Sequence, residues 1–198
     1  MPSIQILTEN DKKISVKLKG VSLLYANALR RICLNGIPIF AIDTVDMIEN
    51  TSVLADEGIS HTLGMIPLKT ESAESDSRVM LVLDSGNTEV VKTVTTAELE
   101  SKDQVVKPTS KQIPIAHLAP GQRIKLEAYA RLGRGTEHAK WNSANISVLT
   151  NTDKDDEHIL TVETTGSLEP KQIILSGIEE LSKRLEEFKE ILVNLEEK

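Results

Sequence analysis

The chain has 198 residues, enough for one domain or two small ones, with 30 acidic against 23 basic side chains, a net charge of −7 and 3% aromatic residues. Its acidity and its few aromatic side chains argue against a DNA-binding module and against a stacking platform for single-stranded nucleic acid. Its single cysteine excludes an intrachain disulfide framework and any zinc or iron–sulfur site built from cysteines.

The first predicted element is a β-hairpin over residues 3–20. Apolar residues alternate with polar ones on both sides of the polar segment ENDKK, at Ile4 and Ile6 and then at Ile14, Val16 and Leu18. A period of two that is interrupted by a short polar segment is typical of two antiparallel strands joined by a turn.

A helix follows, with Ser22 as its predicted N-cap and with Gly36 and Pro38 ending it. Its apolar side is predicted to carry Leu24, Ala28, Leu29, Ile32 and Cys33. The same helix holds two adjacent arginines, Arg30 and Arg31, which are unexpected on an apolar helix of an acidic chain. The pattern alone leaves four uses open for them: phosphate, nucleic acid, a substrate carboxylate or another protein.

The middle of the chain, from about residue 42 to about 149, is rich in short β-type runs. They lie at residues 78–84, 88–96 and 123–132, and polar segments at 69–77 and 119–122 separate them. We expect a β-rich domain that is inserted between the two ends of the chain.

The chain then returns to a strand at 158–166 and ends in one long helix, predicted from about Leu168 to Glu197 with Ser167 as its N-cap. Apolar residues recur along this helix at alternating steps of four and three, which is a heptad pattern. The helix would be about 45 Å long, longer than a small domain is wide. The residues of this seam are Ile174, Ile178, Leu181, Leu185, Phe188, Leu192 and Leu195.

Two uses of the seam compete. It could cover the protein's own sheet, especially over its first two turns. Toward its end, however, Ile191 and Val193 widen the apolar face where little of the domain remains to be covered. Burying seven such side chains gains on the order of 10–20 kcal/mol, against an association cost of about 4–15 kcal/mol. This comparison favours a second chain as the partner of the helix.

No motif of an active site is present. The four histidines fall in no metalloprotease pattern, and no nucleophile elbow, phosphate loop or dinucleotide fingerprint occurs. We therefore expect no catalytic residues, no cofactor and no metal site. With no signal peptide and no long apolar stretch, we also expect a soluble, cytoplasmic protein. A scaffold or assembly subunit fits this inventory better than an enzyme with an unrecognised site or a nucleic-acid adaptor.

Four stretches together resemble the D-type subunits of archaeal DNA-directed RNA polymerase, a family that is the counterpart of the amino-terminal part of the bacterial alpha subunit. They are NALRRI (27–32), ENTSVLADEGISHTLGMIPLKT (49–70), GRGTEHAKW (133–141) and ETTGSLEP (163–170). The resemblance runs in order from the first hairpin to the last helix and covers nearly the whole chain.

The resemblance implies an α+β fold with a discontinuous dimerisation domain, 1–41 and 150–198, and an inserted β-rich domain, 42–149. It implies that the seam of the last helix pairs with the small L subunit, forming a heterodimer on which the two large catalytic subunits assemble. Arg30 and Arg31 would then contact a large subunit through planar, bidentate hydrogen bonds. Nucleotide addition would occur on other chains, with no specific DNA contact and no membrane contact made by this one.

Departures from the family pattern qualify what the resemblance implies. Family members usually carry an arginine at the position of Thr62 and a lysine at that of Thr136. Many also hold an iron–sulfur domain where this chain has only Asn142 to Glu157, without a cysteine. We therefore expect a compact form with no iron–sulfur cluster. The alternatives are a free-standing homodimeric scaffold of the same fold and, less favoured, an enzyme whose site the motifs do not reveal.

Overall fold

The computed structural model of the protein describes residues 2–70, 78–154 and 156–196. Residues 71–77 of the predicted polar segment 69–77, and Glu197 at the predicted end of the last helix, lie outside them. The described ranges form an α+β fold, as predicted. Its elements are β1 (Ser3–Glu9), β2 (Lys13–Lys19), α1 (Leu23–Asn35), β3 (Ile39–Asn50), α2 (Asp56–Gly64), β4 (Val79–Asp84), β5 (Lys92–Thr95), β6 (Leu99–Ser101), β7 (Pro114–Leu118), β8 (Ile124–Gly133), β9 (Ala144–Asn151), β10 (Glu157–Thr164) and α3 (Pro170–Glu196).

The chain divides into two compact units. The first comprises Met1–Ile37 and Arg134–Lys198, and the second comprises Pro38–Gly133. The boundaries expected from the sequence are 41/42 and 149/150, which would place residues 134–149 in the inserted domain. The boundaries differ because β9 pairs with β10 in the sheet of the first unit. At the other boundary, Phe40 already packs in the core of the second unit.

The first unit is a four-stranded antiparallel sheet in the order β1-β2-β10-β9, with α1 and α3 packed on it. The predicted hairpin is confirmed, with Ile4 opposite Leu18 and Ile6 opposite Val16. At its turn, the Asn10 side chain accepts hydrogen bonds from two backbone N–H groups. The core combines buried residues of β2, β9 and β10 with those of the two helices and of the segment after α1: Ile14, Val16, Leu18, Ala26, Leu29, Ile32, Cys33, Ile37, Ala144, Leu160, Val162, Ile173 and Ile174.

Helix α1 begins as predicted, since the Ser22 hydroxyl oxygen accepts a hydrogen bond from the backbone N–H of Tyr25, and Gly36 follows its last residue. The prediction for its apolar side is wrong at Leu24, which is exposed. At 3.6 residues per turn, Leu24 lies about 140° around the helix from the buried Leu29. The face that is buried instead runs through Ala26, Leu29, Ile32 and Cys33.

The two helices of the first unit pack closely at Gly177 of α3. A Cβ atom added there would lie 2.9 Å from the Sγ atom of Cys33 and 3.4 Å from a methyl carbon of Leu29. Because this packing buries Cys33, desolvation raises the pKa of its thiol to about 12. The cysteine is therefore a small core residue, and the glycine lets the helices approach each other.

The second unit has a four-stranded sheet in the order β3-β8-β4-β6, a two-stranded sheet of β5 and β7, and helix α2. Its core includes alternate residues of β4 and β8, two side chains of α2, Ile59 and Leu63, and residues of β3, β5, β6 and β7. The β-type runs predicted at 78–84, 88–96 and 123–132 correspond to β4, β5 and β8.

His158 is a buried polar residue of the first unit whose ring nitrogens form no hydrogen bond with the described residues. It lies on β10 between Leu18 of β2 and Asn151 of β9, and its side chain is 2% exposed. Neither ring nitrogen has a hydrogen-bond partner within the described ranges. Since an unsatisfied buried polar group costs stability, an apolar residue of similar size is expected to fit better.

We expect His158→Leu to raise the free energy of unfolding by about 1 kcal/mol, because it removes two unsatisfied nitrogens. Urea denaturation at neutral pH measures this change. The control is Ser143→Ala, which should lower stability by about 1 kcal/mol, because the buried Ser143 hydroxyl donates a hydrogen bond to the carbonyl of Cys33 at 2.9 Å. A loss of stability in His158→Leu would show that the imidazole makes a favourable interaction.

Candidate partner-binding surface

The surroundings of helix α3 differ between its first turns and its later ones. Its first turns pack on the core of the first unit, where Ile173 and Gly177 are buried. Ile174, predicted to contact a partner, is only 5% exposed and belongs to this core, so its assignment to the partner surface is corrected. Ile178 and Leu181 are partly buried against the same core. These three seam residues are covered because α3 starts by crossing α1 and β10.

From residue 182 to residue 195 every side chain of α3 is exposed. We call residues 182–196 the distal half of α3; at 1.5 Å per residue it is about 22 Å long. It carries the remaining four seam residues, of which Leu185 is 61% and Phe188 60% exposed. Contiguous exposed apolar side chains of this kind mark an interaction surface. The exposed apolar residues are Leu185, Phe188, Ile191, Leu192, Val193 and Leu195.

A second apolar surface of the same unit lies along the edge strand β1. Ile4 and Ile6 of β1 share the helix-covered side of the sheet with their partners Leu18 and Val16, yet both are about half exposed. A cleft of about 560 Å³ opens there, lined mainly by β1, β2 and the first turns of α1. The alternation at Ile4 and Ile6 predicts the strand, but it carries no signal of a binding role for this edge. The lining residues include Ile4, Leu18, Val21, Tyr25, Leu29 and Ile178.

The two arginines of α1 have different surroundings. Arg30 is half-buried; its Nε atom donates to Asn27 Oδ1 at 3.3 Å and its Nη1 atom donates to the carbonyl of Ser147 at 3.5 Å. In return, the Ser147 hydroxyl donates to the carbonyl of Arg30 at 2.8 Å, so this residue ties α1 to β9. Arg31 is exposed, and nothing in the described part of the chain forms a hydrogen bond or ion pair with it.

The second unit presents an ordered apolar loop between β3 and α2. The Asn50 side chain donates to the carbonyl of Leu54 at 2.9 Å and to Asp56 Oδ1 at 2.6 Å, and it accepts from the backbone N–H of Ser52 at 3.0 Å. These bonds hold Val53 at 89% exposure. The sequence singles out this stretch only through the family resemblance, and the structure adds that its polar residues support an exposed apolar tip.

The shifted pKa values lie in structural contacts outside these surfaces. The guanidinium of Arg123 donates two hydrogen bonds to Asp84, at 3.0 and 2.7 Å, and lowers the pKa of that carboxyl to about 2. Among the residues with described positions, no three His, Cys, Asp or Glu side chains are grouped as metal ligands. None of the helices in the described ranges combines the length and apolar character that a membrane crossing requires.

The class of the protein follows from its match to a known family. The chain belongs to the family of the RNA polymerase Rpb3/Rpb11 dimerisation domain, which matches residues 15–185. The match ends within the distal half of α3. The expectation of an Rpb3- or alpha-like polymerase subunit family is thereby confirmed.

Particular relatives are similar over most of this chain. The protein named DNA-directed RNA polymerase subunit Rpo3 from Pyrococcus horikoshii is 44% identical over 149 residues, covering 71% of this chain and 56% of the relative. The protein of the same name from Thermococcus kodakarensis is 45% identical over 149 residues, with the same shares of 71% and 56%. That from Aeropyrum pernix is 31% identical over 166 residues, covering 74% of this chain and 58% of the relative. The chain thus spans a little over half the length of these relatives.

Proposed function

We propose that this chain is a non-catalytic assembly subunit of a DNA-directed RNA polymerase, of the archaeal D type without an iron–sulfur domain. It acts in the cytoplasm, pairs with the small L subunit, and the pair forms the platform for the two large catalytic subunits. Nucleotide addition takes place on those other chains. In this proposal the chain needs no cofactor or metal and makes no specific contact with DNA. The observation that carries the proposal is the exposed apolar distal half of α3.

The energy expected from burying the distal half of α3 indicates that a second surface takes part in pairing. The six exposed apolar residues of the distal half would gain on the order of 1–2 kcal/mol each on burial, or about 6–12 kcal/mol together. Association costs about 4–15 kcal/mol, so the distal half alone leaves little surplus. We infer that the cleft beside β1 is also covered in the complex and supplies the remaining apolar area.

Co-expression with the Rpb11-type small subunit of the same organism tests the pairing. We expect a stable one-to-one heterodimer in size-exclusion chromatography with light scattering. A homodimer that ignores the small subunit would contradict the proposal in favour of a free-standing scaffold. A rise in melting temperature with one compound of a metabolite panel would instead point to an enzyme.

Substitutions of Arg30 and Arg31 test binding of the large subunits separately from pairing with the small subunit. Arg31→Ala should weaken capture of the large subunits by about tenfold or more, because an exposed guanidinium that pairs with none of the described residues can bind a carboxylate across an interface. Pairing with the small subunit and the stability of the chain should not change. Surface-immobilised heterodimer titrated with the large subunits measures the affinity.

Arg30→Ala should behave differently, lowering the free energy of unfolding by about 1 kcal/mol, since its hydrogen bonds join α1 to β9.

In the capture experiment with Arg31→Ala, the control for a general charge effect is Lys171→Ala, which removes an exposed cation from α3. Equal capture by Arg31→Ala and the parent chain would remove the large-subunit role from Arg31.

A further inference from the structure

A charged cluster lies where α3 leaves the core of the first unit. The Oε1 atom of Glu180 accepts hydrogen bonds from Nη2 of Arg134 at 2.8 Å and from Nε of Arg184 at 3.0 Å. Its side chain is only 11% exposed, whereas Glu49 and Asp84, which form ion pairs with Arg123, are 42% and 36% exposed. One carboxylate oxygen shared by two guanidinium groups is a stronger and more directional link than a single surface ion pair.

The cluster joins three separate segments of the first unit. Arg134 lies in the turn after β8, and Glu180 and Arg184 lie one turn apart on α3. Arg184 also donates from Nη2 to the carbonyl of Gly36 at 3.4 Å, at the carboxyl end of α1. A cation at this helix end is favoured by the helix dipole, and α1 has no basic residue in its own last turn.

The turn that carries Arg134 is seated closely on α1. A Cβ atom at Gly135 would lie 2.6 Å from the Cβ atom of Asn35, so only glycine allows this approach. The direction from which Arg134 reaches Glu180 is therefore set by backbone packing and not by the arginine side chain alone.

The cluster stands at the boundary between the covered and the exposed parts of α3. Leu181 is the last residue of the helix that packs against the core, and the distal half begins at residue 182. We propose that Glu180 is a positioning residue: it accepts a hydrogen bond from Arg134 and orients Arg184 toward the carbonyl of Gly36, and these two links to the body fix the direction in which the distal half of α3 projects. This inference rests on the proposed function for its consequence, because a partner binds tightly only to the fraction of molecules whose helix points in the competent direction.

The direction of the helix is measurable without a partner. Spin labels at Thr150→Cys on β9 and Glu190→Cys on the distal half report the distance between body and helix by pulsed electron resonance. A sample without introduced cysteines checks that the buried Cys33 takes no label. We expect a narrow distance distribution in the otherwise unchanged chain and a clearly broader one with Glu180→Gln. Glu179→Gln, the same change on the exposed neighbouring residue, should leave the distribution narrow.

A second readout is the affinity for the Rpb11-type small subunit. Glu180→Gln should raise Kd about tenfold, which corresponds to 1.4 kcal/mol, at a temperature where circular dichroism shows the variant to be folded. Glu179→Gln should bind as the parent does. Should Glu180→Gln fail to fold, Arg134→Gln removes the same contact from the other side and is expected to broaden the distribution equally.

The two readouts separate the two proposals. Equal distance distributions for Glu180→Gln, Arg134→Gln and the parent would overturn the positioning role, whatever the partner does. A broadened distribution in a chain that never binds the small subunit would support the positioning role and overturn the proposed function. A broadened distribution with an unchanged Kd would overturn the consequence inferred for pairing, since the direction of the helix would then be irrelevant to it.

Discussion

Replacing Leu185 and Phe188 together with aspartate should abolish pairing with the small subunit while leaving the chain folded. Both side chains are about 60% exposed in the single chain, at 61% and 60%, so the new carboxylates stay in water there. In the proposed complex they would be desolvated without a partner, at a cost of several kcal/mol, which lowers the affinity by at least about 100-fold. Light scattering of the co-expressed subunits after size-exclusion chromatography measures the loss, and a thermal melt checks the fold.

The matched control makes the same change in net charge on the other side of the same helix segment. Lys183→Gln with Asn194→Asp removes one positive charge and adds one negative charge at exposed positions off the seam. This variant should still form the heterodimer, with an affinity close to that of the parent. Co-purification of the Leu185→Asp, Phe188→Asp variant with the small subunit would show that the distal half of α3 is not the pairing surface.

The seam illustrates what a sequence pattern can and cannot predict. A heptad period identifies the helix and its apolar side, and it is the same whether the helix covers its own domain or another chain. Leu181 and Leu185 are therefore equivalent in sequence, but Leu181 packs against the core and Leu185 is exposed. Leu181→Asp is accordingly a core substitution and a poor test of pairing. The position at which the core ends depends on where α1 and the sheet lie, which no local pattern of α3 contains.

Other differences between the sequence predictions and the structure also arise from contacts that a local pattern does not contain. Arg30 and Arg31 are adjacent and alike in sequence, yet their directions differ by about 100° around the helix, so one meets β9 and the other meets solvent. In residues 144–148 the apolar Ile146 and Val148 lie on the exposed side of an edge strand, whereas Ser147 is buried. This local pattern does not indicate which sheet the strand joins, and the boundary expected at 149/150 assigns it to the inserted domain.

The second large effect is expected at Gly177, where alanine should lower the free energy of unfolding by about 2 kcal/mol. The added methyl group would lie 2.9 Å from the Sγ atom of Cys33, which is closer than nonbonded contact allows, so α3 must shift or Cys33 must leave its place. Urea denaturation followed by circular dichroism measures the loss. Gly58→Ala in α2 is the matched control, because nothing lies within 4 Å of its added methyl group. Alanine is there expected to raise stability by about 0.5–1 kcal/mol, through the lower entropy of its unfolded chain.

A second substitution separates a steric clash from a general loss of helix flexibility at Gly177. Cys33→Ala removes the Sγ atom that the new methyl group would meet, at a cost of about 1 kcal/mol on its own for the small cavity that it leaves. In the double variant the methyl group added by Gly177→Ala occupies that space, so the combined loss should be smaller than the sum of the two single losses by at least about 1 kcal/mol. Strict additivity would mean that Gly177 does not determine the approach of α1 and α3.

Because α3 is held in place by this contact before it projects from the core, the single variant Gly177→Ala should also weaken pairing with the small subunit, and Cys33→Ala should restore part of that affinity.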